Sequence, residues 1–226
     1  MAQNQGFTIW CTGMLGAGKT TLANYLAARL RQVGKNVELL DEDDLSDNLW
    51  GELNDTKEDR LAITRRLGFV ADLLTRNGVG VLVACASPYK NVREENRRLI
   101  GRYLELYVDC PTDELIKRDT TGKYKKALGG EIPDFIGITE PYEPPNAPEV
   151  LVHTNLETVE AGGLKAFQAL LDLGLMTSED LKIITGTRMK ANPRPKKGAR
   201  QRPAARAART ARAPKAKARP ARRGKR

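Results

Sequence analysis

The sequence predicts an α/β fold: a mostly parallel sheet with helices on both faces. Three observations carry this. Strand-like apolar runs alternate with segments of helical period along the first 175 residues or so. The first apolar run leads through a glycine-rich turn directly into a helix. The run Val79 to Ala86 is apolar throughout, as a strand buried on both faces requires. A chain of 226 residues suits one such domain.

The elements follow in order. Phe7 to Thr12 reads as a short buried strand and Gly13 to Thr20 as the turn. Thr21 to Val33 is helical, with Leu22, Tyr25, Leu26 and Leu30 on one face and Gly34 as its stop. Asn36 to Leu40 is a second strand, with the acids Asp41, Glu42, Asp43 and Asp44 at its carboxyl end. Lys57 to Arg76 is a long amphipathic helix closed by Asn77-Gly78. The strand Val79 to Ala86 is broken by Ser87-Pro88. Arg93 to Ile100 is helical, Tyr103 to Val108 strand-like, and Thr112 to Arg118 a short helix. Asp119 to Pro148 shows little periodicity, and so long an irregular segment inside a compact domain points to function or disorder. Val150 to His153 predicts a last strand and Thr158 to Leu173 a closing helix.

The net charge of +10 misleads until it is located. Residues 188–226 hold 17 Lys and Arg and no Asp or Glu, so the remainder carries 21 basic against 28 acidic residues, a net −7. The expected organisation is a globular domain over 1–176, a short helix or linker over 177–187, and a disordered Lys/Arg/Ala/Pro-rich tail over 188–226. Such a tail cannot bury enough apolar surface to offset its ordering entropy. Its resemblance to linker-histone tails points to non-specific contact with nucleic acid or another polyanion, with a purely solubilising extension as the alternative. No stretch nears the ~18 apolar residues of a membrane span, and no basic leader region precedes the first strand. A cytoplasmic, non-membrane protein is expected.

Cys11, Cys85 and Cys110 sit in apolar strand-like runs without CxxC spacing, and read as buried small hydrophobes. His153, the sole histidine, cannot form a metal site or a Cys–His dyad alone and reads as structural.

The chemistry lies in Gly13-Met14-Leu15-Gly16-Ala17-Gly18-Lys19-Thr20, which fits G-x-x-x-x-G-K-[ST] in its strand–helix setting. The glycines let backbone N–H groups turn inward around phosphates, and the helix start adds positive potential. Lys19 would then reach the β- and γ-phosphates of a nucleotide, and the Thr20 hydroxyl would bind Mg²⁺. Kinase, GTPase and motor ATPase all use this loop. The N-K-x-D guanine motif is absent, and the apolar strand Val79 to Ala86 ends at Ser87 rather than at an acid. The acids stand instead after the second strand, on the crevice side of a parallel sheet, where one can orient or deprotonate an acceptor hydroxyl or hold Mg²⁺ through water. The competing reading is a solvated acidic helix start. Arg118, Lys123, Lys125 and Lys126 make the irregular segment a basic flap suited to phosphoryl transfer, or an ordinary solvated loop.

From Gly6 to about Leu173 the chain resembles the adenylylsulfate (APS) kinases, P-loop enzymes that make 3′-phosphoadenylylsulfate. The resemblance rests on Gly13–Thr21, Leu40–Asp43, Glu58-Asp59-Arg60, Arg65-Arg66 and Ser87-Pro88-Tyr89. Its most specific part is Lys117-Arg118-Asp119-Thr120-Thr121-Gly122-Lys123-Tyr124-Lys125-Lys126-Ala127, continuing through Gly130-Glu131-Ile132, Phe135-Ile136-Gly137-Ile138 and Pro141-Tyr142-Glu143-Pro144-Pro145. The resemblance implies that Gly13 to Thr20 hold the ATP phosphates and that Asp43 positions or deprotonates the acceptor 3′-hydroxyl. Ser87 falls on a serine described as a phosphoserine intermediate, a role that direct in-line transfer does not need. Arg60 would bind the phosphosulfate side of APS, Phe135 would stack on its adenine, and Lys125 would contact the same substrate. Arg118 would pack near the ATP adenine. The family's tendency to dimerise implies a homodimer. The chain departs from the family pattern on the acceptor side: Glu42 replaces a glycine, Asp44 an asparagine, Ser46 an arginine, Asp55 a phenylalanine and Ile63 an asparagine. The expectation is therefore a Mg·ATP-dependent APS kinase. The alternatives are a diverged kinase for another nucleotide or hydroxyl acceptor, and a nucleic-acid-associated protein acting through its tail.

Overall fold

The computed structural model describes residues 5–54 and 56–186. The expected tail, and Asp55, lie outside the described residues. Five strands form one sheet: β1 (Phe7–Thr12), β2 (Val37–Asp41), β3 (Gly80–Ala84), β4 (Tyr103–Asp109) and β5 (Val150–His153). Their order is β2-β3-β1-β4-β5, and every pairing is parallel. The chain thus builds β2 and β3 on one side of β1 and β4 and β5 on the other, so the strand order reverses beside β1. The crevice at its carboxyl end is the place where such sheets bind ligands.

Side chains of β1 alternate between two apolar layers. Phe7, Ile9 and Cys11 join Leu82, Leu104 and Leu106 beneath α1 (Lys19–Gln32) and α7 (Val159–Asp172). Trp10 faces the other way and joins Val81, Val83, Leu40 and Tyr103 with Ile63 and Leu67 of α3 (Lys57–Arg76). Both faces are thus covered, which explains why the strands lack polar alternation.

The predicted elements recur with shifted ends. The α1 helix begins at Lys19, inside the glycine-rich motif rather than after it. The third strand is shorter than its apolar run, Gly80–Ala84. The next helix, α4 (Lys90–Ile100), starts earlier than Arg93. The short α5 helix (Thr112–Arg118) and a last helix, α8 (Ser178–Gly186), are where they were expected. One helix starts where the competing reading of the acids put it, and another was not anticipated. The acidic run forms α2 (Glu42–Leu49): Asp41 Oδ1 accepts from the Asp43 N–H at 3.0 Å, and Glu42, Asp43 and Asp44 fill the first turn, where the helix dipole favours acids. The irregular segment contains α6 (Lys123–Leu128), whose Tyr124 N–H donates to Asp119 Oδ2 at 2.7 Å.

Arg93 of α4 holds the strand exits together. It pairs with Glu105 at 2.9 Å in the interior, and it donates to the carbonyls of Ser87 at 2.6 Å and Glu143 at 2.7 Å. The Pro141–Pro145 run is thereby fixed beside the Ser87 turn. No helix among the described residues is long and apolar enough to cross a membrane.

Candidate active site

The glycine-rich loop has the geometry of an anion cradle. Gly13 has φ 155°, and a Cβ there would stand 2.3 Å from the Val108 carbonyl oxygen. Gly18 caps α1 with φ 106°. No side chain caps this helix, and no acid sits in its first turn. Its opening N–H groups are left facing the crevice, which is the ready-made anion site of a helix start. Lys19 Nζ donates to the carbonyls of Gly13 and Met14, each at 3.0 Å, and so is folded over the loop it serves.

The crevice has a volume of about 530 Å³. Gly16, Gly18, Lys19 and Thr20 form one wall, and Asp41, Glu42, Asp43 and Arg60 the other. Lys123, Phe135 and Ile136 of the irregular segment close it from above. Both readings of the acidic run hold together: the acids start a helix, and three of them face the site.

Asp41 and Asp43 differ in environment. Asp43 is exposed at the crevice mouth. Asp41 is buried, and burial raises its pKa above the ordinary carboxylate value, opposed by the nearby Thr20 hydroxyl. Its Oδ2 oxygen is enclosed without a well-formed hydrogen bond. A buried carboxylate beside the P-loop threonine is a fitting place for a divalent cation, and Thr20 with Asp41 would hold Mg²⁺ there, directly or through water. Sequence reasoning named Thr20 for this role. Asp41 was one of four acids, and its burial singles it out.

The flap is tied to the loop it covers. Tyr124 donates from its hydroxyl to the Leu15 carbonyl at 2.7 Å, and its ring meets Phe135 edge-on at 4.9 Å. Tyr124 is the second residue of a lysine-rich helix, and that position gives no sign of this anchoring.

Other expected residues are placed less centrally. Arg118 is exposed outside the crevice and forks onto Thr154, at 3.1 Å to Oγ1 and 2.9 Å to the carbonyl. Thr154 in turn donates to the Ala17 carbonyl at 2.9 Å, so Arg118 stands beside the phosphate loop. Lys125 is exposed and does not line the crevice; the helical turn of α6 presents Lys123 there instead. Ser87 is not brought to the crevice either. It is wholly buried at φ 36°, its Oγ accepts from Trp10 Nε1 at 2.9 Å, and it donates to Thr12 Oγ1 at 3.0 Å. Its hydroxyl is already used within the interior, by Trp10 and Thr12.

The departures from the family pattern acquire physical meaning. Ile63 is core, packed with Leu40, Trp50 and Leu67. Ser46 donates to the Asp43 carbonyl at 3.1 Å, within α2. Glu42 Oε2 accepts from the Ala86 N–H at 2.8 Å across the sheet edge.

The cysteines are free and buried as expected, and burial pushes the Cys11 thiol up to about 12. His153 ends β5 and lies 3.0 Å from Asp109 Oδ2.

A parallel sheet with a P-loop at its central strand, and carboxylates facing that loop from the neighbouring crossover, defines a P-loop phosphotransferase. The sequence profile of the family described as Adenylylsulphate kinase matches residues 5–153. The chain belongs to this family. It is 49% identical over 174 residues to an adenylyl-sulfate kinase of Rippkaea orientalis, covering 77% of this chain and 96% of that one. To an adenylyl-sulfate kinase of Myxococcus xanthus it is 46% identical over 180 residues, covering 78% and 97%. Among solved structures, the Mycobacterium tuberculosis APS kinase in complex with AMPPNP and APS superposes with a TM-score of 0.70 at 32% identity, covering 74% of this chain and 98% of that one.

Proposed function

We propose that the protein transfers the γ-phosphoryl group of Mg·ATP to the 3′-hydroxyl of adenylylsulfate, giving 3′-phosphoadenylylsulfate and ADP. The observation that carries this is the shared crevice: Lys19 and Thr20 face Asp43, Arg60 and Phe135 across it, in a chain whose relative was solved with both an ATP analogue and APS. The loop from Gly13 to Thr20 binds the ATP phosphates. Lys19 leaves the Gly13 and Met14 carbonyls and meets the migrating phosphoryl group. Asp43 accepts the 3′-hydroxyl proton as that oxygen bonds to the γ-phosphorus and the bond to the β-bridging oxygen breaks. Arg60 takes the phosphosulfate side and Phe135 the adenine of APS. Arg118 borders the ATP adenine, and Lys123 supplies the flap's charge. Bound Mg²⁺ neutralises phosphate charge as it develops.

A second reading, a kinase for another hydroxyl acceptor, is favoured by Glu42, which lines the crevice beside Asp43. The test is transfer of radiolabelled phosphate from ATP to APS and to a panel of nucleotides and small hydroxyl compounds. Preferred labelling of APS supports the first reading, and preferred labelling of another acceptor replaces it. The same reading places the enzyme in the cytoplasm, where ATP is plentiful, and makes it a homodimer, in keeping with Phe69 and Leu99, both more than half exposed. It also gives the tail a non-specific contact with nucleic acid or another polyanion.

A further inference from the structure

We propose that Glu42 sets acceptor specificity by occupying, with its own carboxylate, an anion-binding N–H of the acceptor subsite. This rests on the acceptor reading above. Three observations lead to it. Glu42 is the first residue of α2, directly after the last residue of β2, and its side chain crosses to the neighbouring strand's exit. There Oε2 accepts the Ala86 N–H at 2.8 Å. Ala86 lies beyond the last residue of β3, so its N–H is outside the ladder, and it lines the same crevice as Glu42, Asp43 and Arg60.

A backbone N–H at a strand exit, facing a crevice that also holds Lys19 and Arg60, is a natural donor to an anionic oxygen. In this chain the donor is already paired, and with a carboxylate. An anionic group arriving there must displace that carboxylate and also meets its charge, together with those of Asp41 and Asp43. The opposing cations are Lys19, Arg60 and Lys123. Glu42 thus weights the acceptor side against strongly anionic ligands, while the phosphate loop on the opposite wall keeps its full complement of donors.

The test compares the full-length protein with Glu42→Gly and Glu42→Gln. Glycine frees the Ala86 N–H and removes the charge. Glutamine removes the charge but leaves an amide oxygen to accept the same bond. KM for APS should fall about tenfold or more in Glu42→Gly, the size of one recovered hydrogen bond to a charged group. It should fall less in Glu42→Gln, and KM for ATP should stay within twofold in both. An unchanged or raised KM for APS in Glu42→Gly overturns the proposal. Should that variant not fold, an unchanged or raised KM in Glu42→Gln overturns it. Should the unaltered protein fail to turn over APS, calorimetry of APS against the ADP-loaded proteins decides. Binding by the variants alone supports the proposal while removing APS as the natural acceptor. Equal binding, or none by any of the three, overturns it.

Discussion

The Thr154 hydroxyl at the end of β5 donates a 2.9 Å hydrogen bond to the Ala17 carbonyl inside the phosphate loop. The same threonine receives both prongs of Arg118, so an edge strand and α5 are latched to the loop at one point. Thr154→Val keeps the β-branched shape and removes the donor. One neutral hydrogen bond is worth ~1 kcal/mol. KM for ATP should rise about threefold to tenfold, with KM for APS unchanged. Steady-state kinetics with each substrate varied in turn checks this, and equal rises in both constants would contradict a latch specific to the nucleotide.

Lys19→Ala should leave the fold intact, because the side chain bonds only to loop carbonyls and is not core. Turnover should fall by at least ~10²- to 10³-fold, the loss expected when one preorganised charge at the transition state is removed. Thermal unfolding paired with kcat measures both. Near-normal kcat in a folded variant would end the P-loop assignment.

Strands and long helices were legible because their side chains face apolar layers, and such layers impose periodicity. The exact agreement over Lys57–Arg76 follows from a Thr56 cap, which accepts from the Asp59 N–H, and from the Asn77-Gly78 stop. The phosphate loop was legible because its function needs glycine at fixed places. What was missed depends on contacts remote in sequence. Nothing near Tyr124 announces that its hydroxyl will reach Leu15, 109 residues away. Nothing near Ser87 announces that Trp10 will claim its oxygen. The short α2 and α6 helices carry too few residues for a periodic signal, and the acids that accept from their first-turn N–H groups, Asp41 and Asp119, read equally well as loop acids.

Ser87→Ala should leave kcat within a few-fold of normal. The variant strands the buried Trp10 N–H, at a cost of ~1–3 kcal/mol. Chemical denaturation should therefore show the loss, and the transfer assay should not. A drop in kcat by orders of magnitude at unchanged stability would return Ser87 to a catalytic role.

Truncation after Gly186 should leave kcat and the thermal midpoint unchanged, since both apolar layers are built from residues before that point. The removed segment carries 17 basic residues, no acid and no large apolar side chain after Met189. Any affinity for DNA should disappear with it, and in the full chain that affinity should weaken steeply with salt. Filter binding across a salt series is the measurement. Equal DNA affinity in the truncated protein would place the basic surface elsewhere.

Asp43→Asn and Asp41→Asn should both cost activity, for separable reasons. On the proposed reaction Asp43 takes the acceptor's proton, so its loss should lower kcat by ~10²-fold or more while KM for ATP changes little. Asp41→Asn should instead raise the Mg²⁺ concentration needed for half-maximal rate, because its buried carboxylate stands beside Thr20 on the crevice. Asp41→Asn should also change stability without ligand. Burial raises the pKa of Asp41 above its unfolded value near 4, so the folded state binds a proton more tightly than the unfolded chain does. The cost of ionising Asp41 is absent below the unfolded pKa and grows as pH rises through the folded one. Asparagine carries no such cost and remains a good helix cap. Asp41→Asn should therefore unfold at a higher temperature than the unaltered protein at neutral pH, and the advantage should shrink as pH is lowered toward 4. Thermal scans between about pH 4 and pH 8, with and without Mg·ATP, check the whole pattern. A destabilised Asp41→Asn with an ordinary Mg²⁺ requirement would overturn the division of roles between the two acids.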